Sequence, residues 1–167
     1  MKELYLVKKD NKVKPENSAK EFVISQKRER ESDLKDLILP HLYELSQYPV
    51  EHIYSFGIDK KKSKYKIKYL TDISDILKST DKGAIAMTEM AISSALDNNC
   101  TGIVIAHNHP CEFIHPSEED LSLTEYLDSL CKENGLILYD HFIVSKAHGI
   151  KKYYSFYELK LLRKEDV

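Results

Sequence analysis

The residues best suited to chemistry lie in one stretch, Thr101 to Asp120, which reads TGIVIAHNHPCEFIHPSEED. An apolar run, Ile103 to Ala106, leads straight into His107-Asn108-His109-Pro110. Side chains two apart on a strand share a face, so a strand ending in His-x-His presents both imidazoles to the same side. Ser117 is a good helix N-cap, and Glu118 and Glu119 suit the first turn of the helix it would open. Asp120 then falls about one turn in, where its carboxylate can point back toward the strand end. Two neutral imidazole nitrogens and one carboxylate make a three-ligand zinc site whose fourth position is left for water. Zinc in such a site lowers the pKa of its water to about 7 and polarises a carbonyl, so the chemistry to expect is metal-assisted hydrolysis.

The surrounding elements must bring these residues together. Ala86 to Leu96 reads as an amphipathic helix with Met87, Met90, Ala91, Ser94 and Ala95 near one face, and Asp97-Asn98-Asn99 stops it before the histidine strand begins after Gly102. Beyond Asp120 the second helix continues through Leu123, Leu127 and Leu130 to Asn134-Gly135, a good C-terminal pair. Leu136 to Val144 suits a buried strand. Tyr153 to Phe156 predicts a last strand, and Tyr157 to Lys164 a closing helix. Upstream, Val50 to Asp59 and Lys64 to Leu70 alternate as the two arms of a hairpin around Asp59-Lys60-Lys61-Lys62-Ser63. Thr71 to Gly83 has no clear element. Nearer the start, Glu3 to Lys8 predicts a short strand and Pro15 to Ser25 a helix. Gln26 to Asp33 is a densely charged, solvated stretch. Ser32 can cap a helix through Leu34, Leu37, Ile38, Leu42 and Leu45. Pro40 is predicted to kink or divide that helix.

Composition narrows the class. At 167 residues, with 42% hydrophobic and 31% charged, the chain can bury a real core. A net charge of −2 offers no global attraction to nucleic acid or anionic lipid. The lysines between Asp59 and Lys68 alternate with apolar residues and read as the solvated face of a strand, since strand edges are commonly guarded by Lys. No apolar stretch has the length of a membrane span, and Met1 to Asp10 lacks a signal-peptide core, so the cytoplasm is the expected compartment. The three cysteines, Cys100, Cys111 and Cys131, are odd in number and lack CxxC spacing, which makes free thiols the default. Cys111, two residues past His109, is either a plain loop thiol or a group that approaches the metal.

The spacing His107-x-His109, seven intervening residues, Ser117, two residues and Asp120 resembles the JAMM signature of the JAB1/MPN metalloprotease superfamily. Within it, HNHP...PSxxD, the run Leu121 to Thr124 and the later Asp140-His141-Phe142-Ile143-Val144 are similar to the RadC family. The resemblance covers Tyr48 to Glu158, about two thirds of the chain. It implies a three-layer α/β/α fold, cytidine-deaminase-like, with a mixed curved sheet. A RadC-like domain would then span residues 48–167, with an N-terminal strand and helices over 1–47 packed on it. The implied activity is zinc-dependent hydrolysis of a peptide, isopeptide or related amide bond, with a peptide or protein as substrate. His107, His109 and Asp120 would hold the metal. Glu51 falls on the catalytic glutamate as general base, with Glu89 on the Ala86–Leu96 helix as a second candidate. Ser117 stands where the family places a hydroxyl donor to the oxyanion. His141 aligns with the family's Asp-His pair and is expected as a core-edge histidine bonded to Asp140 or to backbone.

Two other readings accompany this one: a non-catalytic metal-binding interaction module, and a DNA-repair or mobile-element accessory protein. RadC proteins often carry a helix-hairpin-helix region, but no Gly-containing hairpin precedes the core here, and direct nucleic-acid binding is not expected. The letters His107-Asn108-His109 match the name of the HNH nucleases only superficially, because that motif spreads its residues over a ββα unit. Cys111-Glu112 stands where the family usually has Ser-Gly.

Overall fold

Every residue of β3 (Gly102–His109) from Gly102 to Asn108 is buried. A near-continuous apolar run of this kind belongs to a strand covered on both faces, and β3 is the middle of the sheet. The computed structural model describes residues 33–79 and 83–159. In it five strands lie in the order β2-β1-β3-β4-β5. β1 (Ile53–Lys61) runs antiparallel to β3, with Ile53 opposite His107, and β4 (Ile137–Ser145) runs parallel to it. A parallel neighbour requires a crossover, and the helix that opens after Ser117 supplies it. β2 (Lys64–Asp72) and β5 (Gly149–Ser155) pair antiparallel at the two edges, so the sheet is mixed, as the resemblance implies.

Helices cover both faces. α1, over residues 33–46, lays Leu34, Ile38, Leu42 and Leu45 against Tyr54, Phe56, Ile58, Val104, Ala106, Phe142 and Val144. The predicted division at Pro40 does not occur; the helix is unbroken from 33 to 46, and Pro40 is exposed. Four buried aliphatic side chains at roughly 1.5–3 kcal/mol each outweigh an internal proline's cost of about 3 kcal/mol.

The opposite face carries α2 (Ser74–Ser79), α3 (Gly83–Asp97) and α4 (Glu118–Glu133). Met87, Ala91, Ile92 and Ala95 of α3 and Leu127 and Cys131 of α4 pack with Ile53, Ile103, Ile105, Ile143 and Phe156. The predicted α3 stripe is thereby corrected: Met90 is exposed and Ile92 is buried, so the packed face is turned toward Thr88 and Ile92. α2 forms in the stretch that carried no clear sequence signal.

Two glycines and one edge complete the frame. A Cβ on Gly102 would stand 2.1 Å from the Ile137 carbonyl oxygen, so the close entry of β3 beside β4 depends on its absence. Gly135, at φ +70°, follows the C-cap Asn134 and turns the chain out of α4. β2 shows the alternation predicted for it, with Lys64, Lys66 and Lys68 exposed at the sheet edge while Tyr65 and Ile67 pack inward. β5 begins earlier than the predicted Tyr153. Residues 156–159 form a turn, and the rest of the predicted helix Tyr157–Lys164 lies outside the described residues. The predicted strand Glu3–Lys8, the helix Pro15–Ser25, the Ser32 cap and most of the charged stretch from Gln26 also lie outside them. Among the described residues no helix is long and apolar enough to cross a membrane.

Candidate metal centre

Three side chains converge at the C-terminal end of β3. The Nε2 atoms of His107 and His109 are 3.0 Å apart. Asp120 Oδ1 lies 3.2 Å from His107 Nε2, and Asp120 Oδ2 lies 3.4 Å from His109 Nε2. One ligand atom from each residue falls within 4.8 Å of the other two. Local geometry explains the meeting. His107 and His109 share the face of β3 that also carries Ile103 and Ile105, and α4 starts against that face. Ser117 caps α4: its Oγ accepts the Asp120 amide at 3.1 Å, and Asp120 Oδ2 accepts the Ser117 amide and hydroxyl, each at 2.8 Å. The capping box that starts the helix therefore also aims the Asp120 carboxylate at the histidines.

This donor set fits a divalent cation. His109 Nδ1 is 3.0 Å from the Phe113 carbonyl oxygen, which can only accept, so that nitrogen carries the hydrogen and the ring, when neutral, turns a bare Nε2 toward its neighbours. An imidazole lone pair, a second imidazole nitrogen and a carboxylate at these separations repel one another until a positive charge sits among them. Two nitrogens and one oxygen are the mixed ligands zinc accepts. The electrostatics favour positive charge among these groups. Burial by itself would raise the Asp120 carboxyl, but the facing His107 and His109 rings and the Ser117 amide outweigh it and hold the group well below the usual carboxylate range. The Asp120 carboxylate raises His109 against the opposing effect of burial, helped by the Phe113 carbonyl and by the charge of Glu51. His107 is buried, His109 and Asp120 are partly exposed, and Ser117 is exposed, so the centre opens to solvent on the α4 side.

Glu51 reaches this neighbourhood through a residue that sequence reasoning passed over. Asn108 points to the opposite face of β3 from the two histidines. Its Nδ2 donates to the carbonyls of Tyr48 at 3.2 Å and Val50 at 3.0 Å, and its Oδ1 accepts the His52 amide at 2.7 Å. The segment 48–52 is thereby tied to the end of β3, which is why β1 starts at Ile53 and not at Val50. Glu51 is exposed within that segment, and its charge acts on His109. His52 stacks on Tyr48 with ring centroids 4.0 Å apart and pairs with Asp72 at 2.7 Å, bracing the same segment from its other side.

The remaining candidates separate from the cluster. Glu89 is exposed on α3. Cys111 is exposed, with its thiol 3.8 Å from the Phe113 carbonyl, and it is not among the three residues that could share an ion. His141 is buried and stands outside the ligand group; its amide donates to Asp140 Oδ1 at 2.7 Å, while its ring takes partners that were not expected. Its Nε2 is 2.8 Å from His107 Nδ1, and its Nδ1 is 2.7 Å from Thr124 Oγ1. Burial, and then the neighbouring His107, push the His141 imidazole well below its ordinary value. Thr124 carried one usable signal: it stands four residues after Asp120, hence on the same side of α4.

The family profile described as a RadC-like JAB domain matches residues 29–161. A UPF0758 protein of Streptococcus suis (strain 98HAH33) is 43% identical over 75 residues, 45% of this chain and 29% of that protein. A UPF0758 protein of Streptococcus agalactiae serotype III is 31% identical over 117 residues, 70% of this chain and 47% of its own. One from Streptococcus pyogenes serotype M49 is 33% identical over 110 residues, 62% of this chain and 47% of its own. The chain thus spans less than half the length of these relatives.

Proposed function

Because the chain belongs to the RadC-like JAB domain family, we propose that it is a zinc-dependent hydrolase of peptide, isopeptide or related amide bonds. The observation that carries this reading is the convergence of His107, His109 and Asp120 within 4.8 Å at a solvent-facing strand end. These three residues would hold the ion through His107 Nε2, His109 Nε2 and an Asp120 carboxylate oxygen. When bound, zinc supplies Lewis acidity, which makes water nucleophilic near neutral pH and polarises the carbonyl under attack.

The chain's own residues do the rest. Glu51 is the general base: its carboxylate takes a proton from the attacking water and returns it to the leaving nitrogen. Asn108 keeps the segment bearing Glu51 against the strand end. Ser117 Oγ stays in place as the acceptor of the Asp120 amide, while its hydrogen can rotate from Asp120 Oδ2 to an oxyanion, because the Ser117 amide continues to hold that carboxylate. The exposed mouth at Ser117 suits a polypeptide substrate. The cytoplasm is the compartment in keeping with three unpaired cysteines.

The test combines metal content with cleavage. After zinc loading and desalting, elemental analysis should find one equivalent in the wild type and almost none in His107→Ala or Asp120→Ala. Glu51→Gln should keep its zinc while cleavage of a quenched-fluorescent peptide library falls by about 10²–10⁴-fold. A wild type that holds zinc but cleaves no peptide or isopeptide would be a metal-binding module, and the hydrolase reading would end there.

A further inference from the structure

Behind His107 lies a buried chain of polar contacts that does not touch the ion's position. His107 Nδ1 is 2.8 Å from His141 Nε2, His141 Nδ1 is 2.7 Å from Thr124 Oγ1, and Thr124 Oγ1 is 2.6 Å from the Asp120 carbonyl oxygen. The relative exposures of His107, His141 and Thr124 are 2%, 1% and 3%, so water does not substitute for any of these partners. The His141 ring is stacked on Phe156 with centroids 4.6 Å apart and planes 10° from parallel, which fixes the direction of both its nitrogens.

The directions of these hydrogen bonds follow from counting hydrogens. A peptide carbonyl can only accept, so the single hydroxyl hydrogen of Thr124 goes to Asp120. Thr124 Oγ1 can then meet His141 Nδ1 only as acceptor, which places a hydrogen on that nitrogen. The neutral His141 ring therefore offers a lone pair at Nε2, and His107 Nδ1 must be the donor to it. His107 is left with its lone pair at Nε2, the atom that faces His109 and Asp120. The chain of bonds begins at the backbone of one ligand and ends by selecting the binding nitrogen of another.

We infer that His141 and Thr124 are positioning residues that lock His107 into its metal-ligating tautomer before any ion arrives. This rests on the reading of His107, His109 and Asp120 as the metal centre. A ligating histidine commonly gives its second ring hydrogen to a carboxylate, a carbonyl or water. Here a second imidazole takes it, and an imidazole can either donate or accept; Thr124 is what removes the ambiguity.

Thr124→Val keeps the shape and deletes the acceptor. The His141 hydrogen should then move to Nε2, making Nδ1 of His107 an acceptor and transferring the His107 hydrogen to the nitrogen the ion needs. Nitrogen-15 NMR of the histidine rings in the metal-free full chain at pH 8 reads the tautomers directly. Competition with a chromophoric chelator reads zinc affinity. The expected wild-type result is Nδ1–H at both His107 and His141. Thr124→Val should shift both to Nε2–H and weaken zinc by about 10–100-fold, and Thr124→Ser should restore both properties.

A wild-type spectrum with His141 in the Nε2–H form overturns the inference, and so does a Thr124→Val protein that binds zinc as tightly as the wild type. Should Thr124→Val fail to fold, as judged by circular dichroism, the wild-type spectrum and Thr124→Ser still decide. Failure of the metal-centre reading is a separate result: the wild type would bind no zinc, or Asp120→Ala would retain it, whatever the tautomers.

Discussion

The two sides of β3 start alike and finish differently. Toward α1 the strand presents Val104, Ala106 and then Asn108; toward α3 and α4 it presents Ile103, Ile105 and then His107 and His109. Both faces are apolar where the helices press on them, and both turn polar at the strand end. Asn108 has its amide hydrogens and its oxygen matched to backbone groups of Tyr48, Val50 and His52. The histidines instead turn Nε2 atoms toward each other and toward a carboxylate. A buried polar group whose partners are all protein atoms holds the fold together, because breaking any of them leaves a desolvated donor or acceptor. One whose lone pairs converge is arranged for something the chain does not contain. The contrast separates a side chain that staples the fold from two that could hold an ion, on neighbouring residues of a single strand.

Substitutions on the α1 side should cost stability and leave metal binding alone. Phe56 is fully buried in the α1 face, and Phe56→Ala should destabilise the protein by about 3–5 kcal/mol in urea titrations. Zinc content per folded molecule should be unchanged; parallel loss of zinc would mean that the two faces are one cooperative site. Asn108→Ala sits on the border between them. Three hydrogen bonds at roughly 1 kcal/mol each predict a stability loss of about 2–4 kcal/mol. Zinc should still bind, but peptide cleavage should fall, because the segment holding Glu51 loses its tether; cleavage at the wild-type rate would show that Asn108 does not position Glu51. The smallest effect belongs to Lys35, which pairs with Glu158 and lies 5.6 Å from the Tyr153 ring centroid. Both charged groups are substantially solvent-exposed, so Lys35→Ala should cost no more than about 1 kcal/mol and less in high salt. A larger loss of melting temperature would show that α1 adheres by charge rather than by its buried aliphatic stripe.

What could be read without coordinates was short in range. The His-x-His pair requires only the two-residue repeat of a strand, and Asp120 only a place one turn into the helix that Ser117 opens, so the three candidate ligands are legible in the sequence. The β2 alternation was legible for the same reason. Sequence and structure part where two local rules compete or where the deciding partner is remote. Met90 and Ile92 flank Ala91 at about equal angles on a helix, and only the position of the sheet under α3 decides which is buried. Pro40 does not divide α1, because four buried side chains of that helix pack on strands that follow it in the chain.

The amino-acid order by itself determined which groups could bind an ion, since that depended on spacing within one strand end and one helical turn. Only the tertiary structure decided what stands behind those groups. The partners of Asn108 are 56–60 residues away, and His141 is 34 residues from His107. Such distances are closed by the pairing of β1 and β4 with β3 and by the α4 crossover, not by any property of the residues themselves. Hydrogen-bond direction in particular is a property of the assembled network: a histidine ring has no fixed donor until its neighbours are in place.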